Sequence, residues 1–291
     1  MSEKDSEADY IARHVELTFR EPCEDEDSND DDRQLALVHL RCPNACVQGR
    51  GTMLWRASTW VGRWLVSSPE VIRNQGVLEI GAGLGAAGLM ALALGARRVI
   101  LTDVVDVVLE NLRKIQDLYG DDCGRDGDDR LSVAAFDFCE HDCSCSTTRF
   151  AQIWDEERKH GGIQILLCCD VLYENEKVRG VMRTINEFFF LGGTLAIVWN
   201  ADGSPLCNRS SQVEEVAEGL RRLGIKAFAF WNDDAETRSG GSSVLVCWNG
   251  DGECPVENPL LSAKSIAVQY KEVRREYASQ ALASIDFDSL D

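Results

Sequence analysis

Val77-Leu78-Glu79-Ile80-Gly81-Ala82-Gly83-Leu84-Gly85-Ala86-Ala87-Gly88 is an apolar run that enters a glycine-rich turn and leaves as a helix of small residues. Glycines let the backbone turn sharply and approach a ligand closely, and the start of the following helix presents free N–H groups. Twenty-two residues past Gly81, the run Ile100-Leu101-Thr102-Asp103 ends on a carboxylate. An acid at the end of that second strand can accept hydrogen bonds from ribose hydroxyls, so the pair points to an adenosine-containing ligand. The letters alone are less decisive. Gly81-x-Gly83-x-x-Ala86 also fits a dinucleotide fingerprint, and a purely structural turn would read the same way.

Working outward, short apolar runs at 76–80, 97–102, 131–137, 163–169 and 193–199 read as strands. Between them, helical periodicity falls near 84–94, 104–118 and 175–190. That alternation predicts a parallel sheet covered by helices on both faces. A further helix near 211–223 leads to two runs, 225–231 and 243–248, joined by a polar, glycine-rich loop. They read as a terminal hairpin that adds antiparallel strands. The expected fold is therefore α/β, Rossmann-like, with a seven-stranded, mostly parallel sheet. Upstream, Leu35–Leu40 reads as a strand and Trp55–Leu65 as an aromatic helix, with Trp60 and Trp64 on its core or partner face. The polar stretches 121–130 and 139–162 read as surface insertions. The expected organisation is an acidic, disordered arm over 1–34, a catalytic domain over 35–250, and a C-terminal helical extension over 251–291 with helical periodicity around 262–283.

The chain has 291 residues, 49 acidic and 30 basic, and a net charge of −19. Duplex nucleic acid and anionic membrane surfaces are disfavoured partners, because both require a basic patch. Residues 1–32 carry 13 acids and 3 bases, more than half of the excess. The run Glu24-Asp25-Glu26-Asp27-Ser28-Asn29-Asp30-Asp31-Asp32 repels itself and buries nothing, so the arm is expected to be solvated and dispensable for chemistry, the alternative being an interaction tail for a basic partner. Twelve cysteines, several inside apolar runs such as Cys168-Cys169, read as reduced thiols of a cytosolic or nuclear protein. The first residues lack the pattern of a signal peptide. Ile80–Ala96 is uncharged over almost the length of a membrane span, but its glycines favour a strand, a turn and a buried helix.

Three features favour S-adenosylmethionine over a nicotinamide cofactor. Glu79 lies two residues before Gly81, where it can reach the ligand's amino-acid end. The sheet ends in a hairpin rather than in a second mononucleotide-binding half. Asp170-Val171-Leu172-Tyr173 directly follows the fourth strand of the alternating series, at the carboxyl edge where such sheets bind ligands. With Gly51-Thr52-Met53-Leu54-Trp55-Arg56-Ala57-Ser58, Asp137-Phe138 and Cys169 added in order, the chain resembles a seven-strand S-adenosylmethionine-dependent methyltransferase. Within that class it is similar to the protein-lysine methyltransferases of methyltransferase family 16. The resemblance covers about residues 50 to 200.

The resemblance implies site roles. Trp55 would line the cofactor pocket, and Gly81, Ala82, Gly83 and Gly85 would form the turn facing the methionine and ribose. Asp103 would take the ribose hydroxyls. Phe138, where many relatives carry Trp, would stack on the adenine, with Asp137 near its amino group. The backbone at Cys169 would also touch the cofactor. Asp170 would orient the substrate lysine and Tyr173 would shape its channel. Asp170→Ala is expected to leave the fold intact while removing transfer, the alternative being that Asp170 and Tyr173 merely form a polar cap on the strand. The implied partner is a protein presenting lysine, with a basic surface that suits an acidic rim, met by a monomer or in a transient complex. Another protein side chain such as histidine, a small molecule, a non-catalytic binding module and an oxidoreductase are the competing readings. Cys139-x-His141-x-Cys143-x-Cys145 lacks the distant second half of a structural zinc site, so no metal is expected. His14, His39, His141 and His160 form no catalytic set with a nucleophile.

Overall fold

The computed structural model describes residues 13–21, 33–43, 50–121, 130–140, 148–201, 209–232, 242–249 and 252–273. In chain order the strands are β1 (Arg13–Glu21), β2 (Arg33–Cys42), β3 (Gly76–Ile80), β4 (Arg98–Asp103), β5 (Leu131–Ala135), β6 (Ile165–Cys169), β7 (Leu195–Ala201), β8 (Lys226–Asn232), β9 (Ser242–Trp248) and β10 (Ala267–Val273). The helices are α1 (Arg56–Ser67), α2 (Ala86–Ala93), α3 (Asp106–Asp121), α4 (Arg149–Glu157), α5 (Asn175–Phe190), α6 (Arg209–Arg222) and α7 (Pro259–Lys264).

The apolar strands β3 to β7 pair in parallel, and the large sheet runs β5-β4-β3-β6-β7-β9-β8. β9 inserts antiparallel between β7 and β8, pairing Trp199 with Val244 and Phe230 with Val244. The seven-stranded α/β fold with a terminal hairpin is thus the fold found. Successive residues of each strand point to opposite faces. Leu78, Ile80, Leu166 and Val198 join one buried cluster, while Val77, Leu101, Leu167 and Trp199 join the other.

A second sheet accounts for the uncharged run at 80–96. β1 is the centre of a three-stranded antiparallel sheet, ordered β10-β1-β2. Helix α2 packs against β2 on one side and against β3 and β4 on the other, and all eight of its residues are buried. A helix apolar all round is a helix with no solvated face. Among the described residues no helix is long and apolar enough to cross a membrane.

Three segments depart from expectation. Residues 13–21 fall inside the expected arm, yet form a strand, because Val15, Leu17 and Phe19 alternate with polar residues and face the core. Phe19 is buried and reaches α1 at Gly62, where an added Cβ would lie 2.7 Å from its ring. The acidic run 24–32 lies outside the described residues. In the expected helical extension, α7 is six residues long and β10 follows it, pairing Leu17 with Tyr270. Within the expected insertion 139–162, residues 149–157 are helix α4, capped by the Thr148 hydroxyl, which accepts the Ala151 N–H at 3.0 Å. Its Phe150 and Trp154 enter the core beside Phe136 and Phe188, with ring centroids 5.5 and 5.9 Å apart.

Candidate active site

The order of the large sheet reverses between β3 and β6, since the chain proceeds from β3 outward to β5 and then crosses to β6 and β7. Ligands of such sheets sit at that reversal, beyond the carboxyl ends of the strands. The glycine turn occupies this place. Gly81, Gly83 and Gly85 have φ of 60°, 56° and 74°, the left-handed region that favours glycine. An added Cβ at Gly81 would lie 3.0 Å from Val171 Cγ1, and one at Gly83 would lie 3.2 Å from the Gly51 carbonyl oxygen. Gly85 faces inward instead, where a Cβ would meet Leu101 Cδ1 at 2.8 Å, so it serves helix-to-strand packing. Ala82 fixes the turn: its N–H donates to the Thr102 carbonyl at 2.9 Å, and its own carbonyl accepts the Gly85 N–H at 2.7 Å.

Two carboxyls brace this turn from below and beside. Asp103 Oδ2 accepts the Gly83 N–H at 3.1 Å, while Oδ1 accepts the N–H groups of Val104 and Val105 at 2.8 and 3.1 Å. Oδ2, with one donor, keeps lone-pair capacity for a hydroxyl donor. Glu79 has no exposed surface. Its Oε2 accepts the Gly88 N–H at 2.8 Å, and its Oε1 has no hydrogen-bond partner. Burial pushes its carboxyl from the ordinary 4.5 to about 8, against the pull of the Gly88 N–H and the neighbouring Cys169. Burial likewise raises the Cys168 and Cys169 thiols, so neither is a thiolate near neutral pH.

Asp137 and Phe138 leave the end of β5 and fold back over the crevice. Asp137 Oδ1 accepts the Cys139 N–H at 2.7 Å. The Phe138 ring packs between the glycine turn and Gly180 of α5, where an added Cβ would lie 3.0 Å from its Cδ2. Only 7% of Phe138 is exposed. The Lys177 ammonium sits 5.2 Å from its ring centroid and 5.8 Å from that of Tyr173. Tyr173 lies just before the first turn of α5, which carries Lys177.

Asp170 ends up more deeply engaged than its motif suggests. It has φ of 54°, one of two non-glycine residues in that region among those described. Its Oδ2 accepts the Ala57 N–H at 3.1 Å, and its Oδ1 accepts the Ala201 N–H at 2.9 Å. Trp55, which precedes α1, offers no side-chain cap, so the carboxylate of a distant strand end supplies the oxygen for that helix's first turn. Asp170 therefore ties β6, β7 and α1 together, so Asp170→Ala would take the acceptor from two main-chain donors as well as the carboxylate from the strand end.

Trp55, Glu79, Gly81, Ala82, Gly83, Asp103, Asp137, Phe138, Cys169, Asp170 and Tyr173 all lie on or beside the carboxyl edge of the sheet. Three participants escaped the sequence reading: the Gly51 carbonyl, the Ala57 N–H and the Lys177 ammonium. The first two are main-chain groups with no sequence signature; the third was visible only as the fourth residue after Tyr173. His141, Cys143 and Cys145 lie outside the described residues. Among those described, no group of three or more His, Cys, Asp or Glu side chains could hold a metal.

Residues 35–120 match the family model for lysine methyltransferases. Over 137 residues the chain is 26% identical to the Neurospora crassa protein N-terminal and lysine N-methyltransferase efm7, covering 45% of this chain and 46% of that one. Over 210 residues it is 24% identical to the Yarrowia lipolytica protein of the same description, covering 67% and 75%. The match to the Emericella nidulans efm7 covers 52% of that protein, so this chain spans about half the length of the first curated relatives it matches. Among solved structures, the METTL16 methyltransferase domain aligns with a TM-score of 0.44 at 14% identity, over 67% of this chain and 66% of that one. The methyltransferase domain of bacterial CtHen1 aligns with a TM-score of 0.45 at 14% identity, over 66% and 98%.

Proposed function

We propose that this chain, which carries the lysine methyltransferase family's sequence match over residues 35–120, transfers a methyl group from S-adenosylmethionine to an amine of a protein substrate. One observation carries the reading. The Gly83 N–H is held by Asp103, and Gly83 faces the Gly51 carbonyl across a gap that a Cβ would fill, at the point where the strand order reverses. The orphaned Glu79 Oε1 in the same place suits the ammonium of the cofactor's amino-acid end. These residues fit the cofactor, with Asp103 for its ribose and Asp137 and Phe138 for its adenine.

When bound, the cofactor supplies an electrophilic methyl on a sulfonium. The rest falls to the protein. A free lysine has a pKa of about 10.4, so the acceptor must reach the site as the neutral amine. The apolar wall of Val171 and Leu172 disfavours an ammonium there by burial. The Asp170 loop and the Tyr173 ring define the approach, and Asp170 keeps that loop in place through α1 and β7. Solvent takes the proton, since no side chain is placed here as a general base.

The fungal relatives' descriptions include N-terminal as well as lysine methylation, so an α-amine is the second acceptor to test. Calorimetry with S-adenosylmethionine and the Gly83→Ala variant tests the cofactor. Wild type is expected to bind and the variant to bind at least tenfold more weakly, by the left-handed strain and the contact with Gly51. Radiolabel transfer into a lysate, followed by residue-level mass spectrometry, tests the acceptor. Label in lysine or an N-terminus is expected. Label in histidine or only in small molecules would overturn the amine assignment, and failure to bind the cofactor would return the chain to a binding module.

A further inference from the structure

Helix α1 contains no acidic residue in a chain of net charge −19, and it starts at the candidate site. Its Arg56 adjoins Ala57, whose N–H holds Asp170. One helical face carries Arg56, Thr59, Trp60 and Arg63, spaced three, four and seven residues apart. The Arg63 guanidinium lies over the Trp60 ring, 4.9 Å from its centroid, and Trp60 stacks in turn on Trp199 of β7 at 6.4 Å. Arg63 Nε is buried without a hydrogen-bond partner, and among the described residues Arg63 has neither a hydrogen bond nor an ion pair.

A guanidinium does not lose its proton in proteins, so the buried Arg63 Nε–H is a permanent donor without an acceptor. Burial and the neighbouring Arg56 both work against its charge, and only the Tyr270 side chain works in its favour. Tyr270 comes from β10, near the far end of the described chain. Its hydroxyl lies 3.3 Å from Thr59 Oγ1, and 57% of the residue is exposed. An indole platform, a planar fork of donors and two hydroxyls, the Tyr270 one on an exposed residue, thus lie together. That set recognises a carboxylate, which pairs with a guanidinium through two parallel hydrogen bonds.

We propose that Arg63, with Arg56, Thr59 and Tyr270, receives a carboxylate side chain of the protein substrate, in a segment flanking the methylated amine. The inference rests on the amine methyltransferase reading for what the docked segment delivers, but not for the docking itself. It reverses the expectation of a basic partner drawn from net charge, because the charge next to Asp170 on this helix is positive. RNA is the weaker occupant: two arginines on a strongly acidic chain release too few counterions to hold a phosphate backbone.

The test uses two eleven-residue peptides with one central lysine, flanked by glutamates or by glutamines, and a uridine oligonucleotide of similar length. Calorimetry at low salt measures their binding to wild type, Arg63→Gln, Arg63→Lys and Tyr270→Phe, with melting temperatures as a check on folding. The glutamate peptide is expected to bind wild type about tenfold more tightly than the glutamine peptide, as suits one charge-assisted pair. That preference should vanish in Arg63→Gln, shrink in Tyr270→Phe and survive in part in Arg63→Lys. In transfer assays the same loss should appear in KM and not in kcat. Equal binding of the two peptides, a preference unchanged by Arg63→Gln, or tighter binding of the oligonucleotide would overturn the proposal. Arg63-dependent binding without methyl transfer would leave the docking site standing and count against the amine methyltransferase reading instead.

Discussion

The Asp170 carboxylate accepts the backbone N–H of Ala57 across 113 residues of chain, at 3.1 Å. With the Ala201 N–H on its other oxygen, one buried side chain satisfies two main-chain donors on separate elements. Asp170→Ala leaves both donors without an acceptor, at about 1–3 kcal/mol each. We expect that variant to melt about 5–10 °C below wild type and to lose methyl transfer. Asp170→Asn keeps a residue that tolerates the left-handed backbone but presents an NH2 to one of the two donors, so it should fall between. An unchanged melting temperature in Asp170→Ala would sink the structural role and return the residue to substrate orientation alone.

Glu79 makes stability fall as pH rises. Its carboxyl ionises near the ordinary 4.5 in the unfolded chain and near about 8 in the folded one. Between those values the folded state holds the extra proton, so its stability is greatest below 4.5 and declines up to about 8. The slope from this group approaches about 1.4 kcal/mol per pH unit. Glu79→Gln retains an acceptor for the Gly88 N–H and cannot ionise. Denaturant unfolding at pH 5, 7 and 9 should show the variant gaining on wild type at each step. Parallel curves for the two proteins would contradict the assignment.

Legibility differed by kind of signal. The strand 76–80 and the helix 175–190 were readable to the residue, because apolar runs and helical periodicity are local properties of the sequence. β1 was not, although Val15, Leu17 and Phe19 alternate cleanly, because the surrounding acid hid a period of two inside an average over 32 residues. β10 was read as helix, since Ile266, Tyr270 and Val273 also fit a helical spacing, and the pairing with β1 that makes it a strand comes from the other end of the chain. The motif letters fell on residues that the fold gathers along one edge of the large sheet. What Asp170 does there depended on Ala57 and Ala201, which contribute only their N–H groups and so leave no trace in the residue types.

The strand β1 also changes what removal of the acidic segment should do. Deleting residues 1–32 removes the central strand of the three-stranded sheet and takes Leu17 and Phe19 out of the core. Phe19→Ala isolates part of that effect, with an expected cost of about 3–5 kcal/mol for a fully buried ring. Both changes should appear as a large loss of melting temperature, the deletion the larger. A deletion that melted with wild type would show that the sheet contributes little to the core.

Lys177 bears on cofactor affinity through Phe138. The ring expected to stack on adenine is almost covered, and the ammonium above it, 5.2 Å from the centroid, occupies space on that face. A cation on an aromatic face is worth about 0.5–2 kcal/mol, which an incoming base must displace. Lys177→Met removes the ammonium while keeping a flexible apolar chain of similar length. We expect it to bind S-adenosylmethionine about threefold to tenfold more tightly by calorimetry, while Phe138→Ala binds more weakly. Weaker binding by Lys177→Met would mean that the ammonium contacts the cofactor itself, and that Phe138 presents a different face to it.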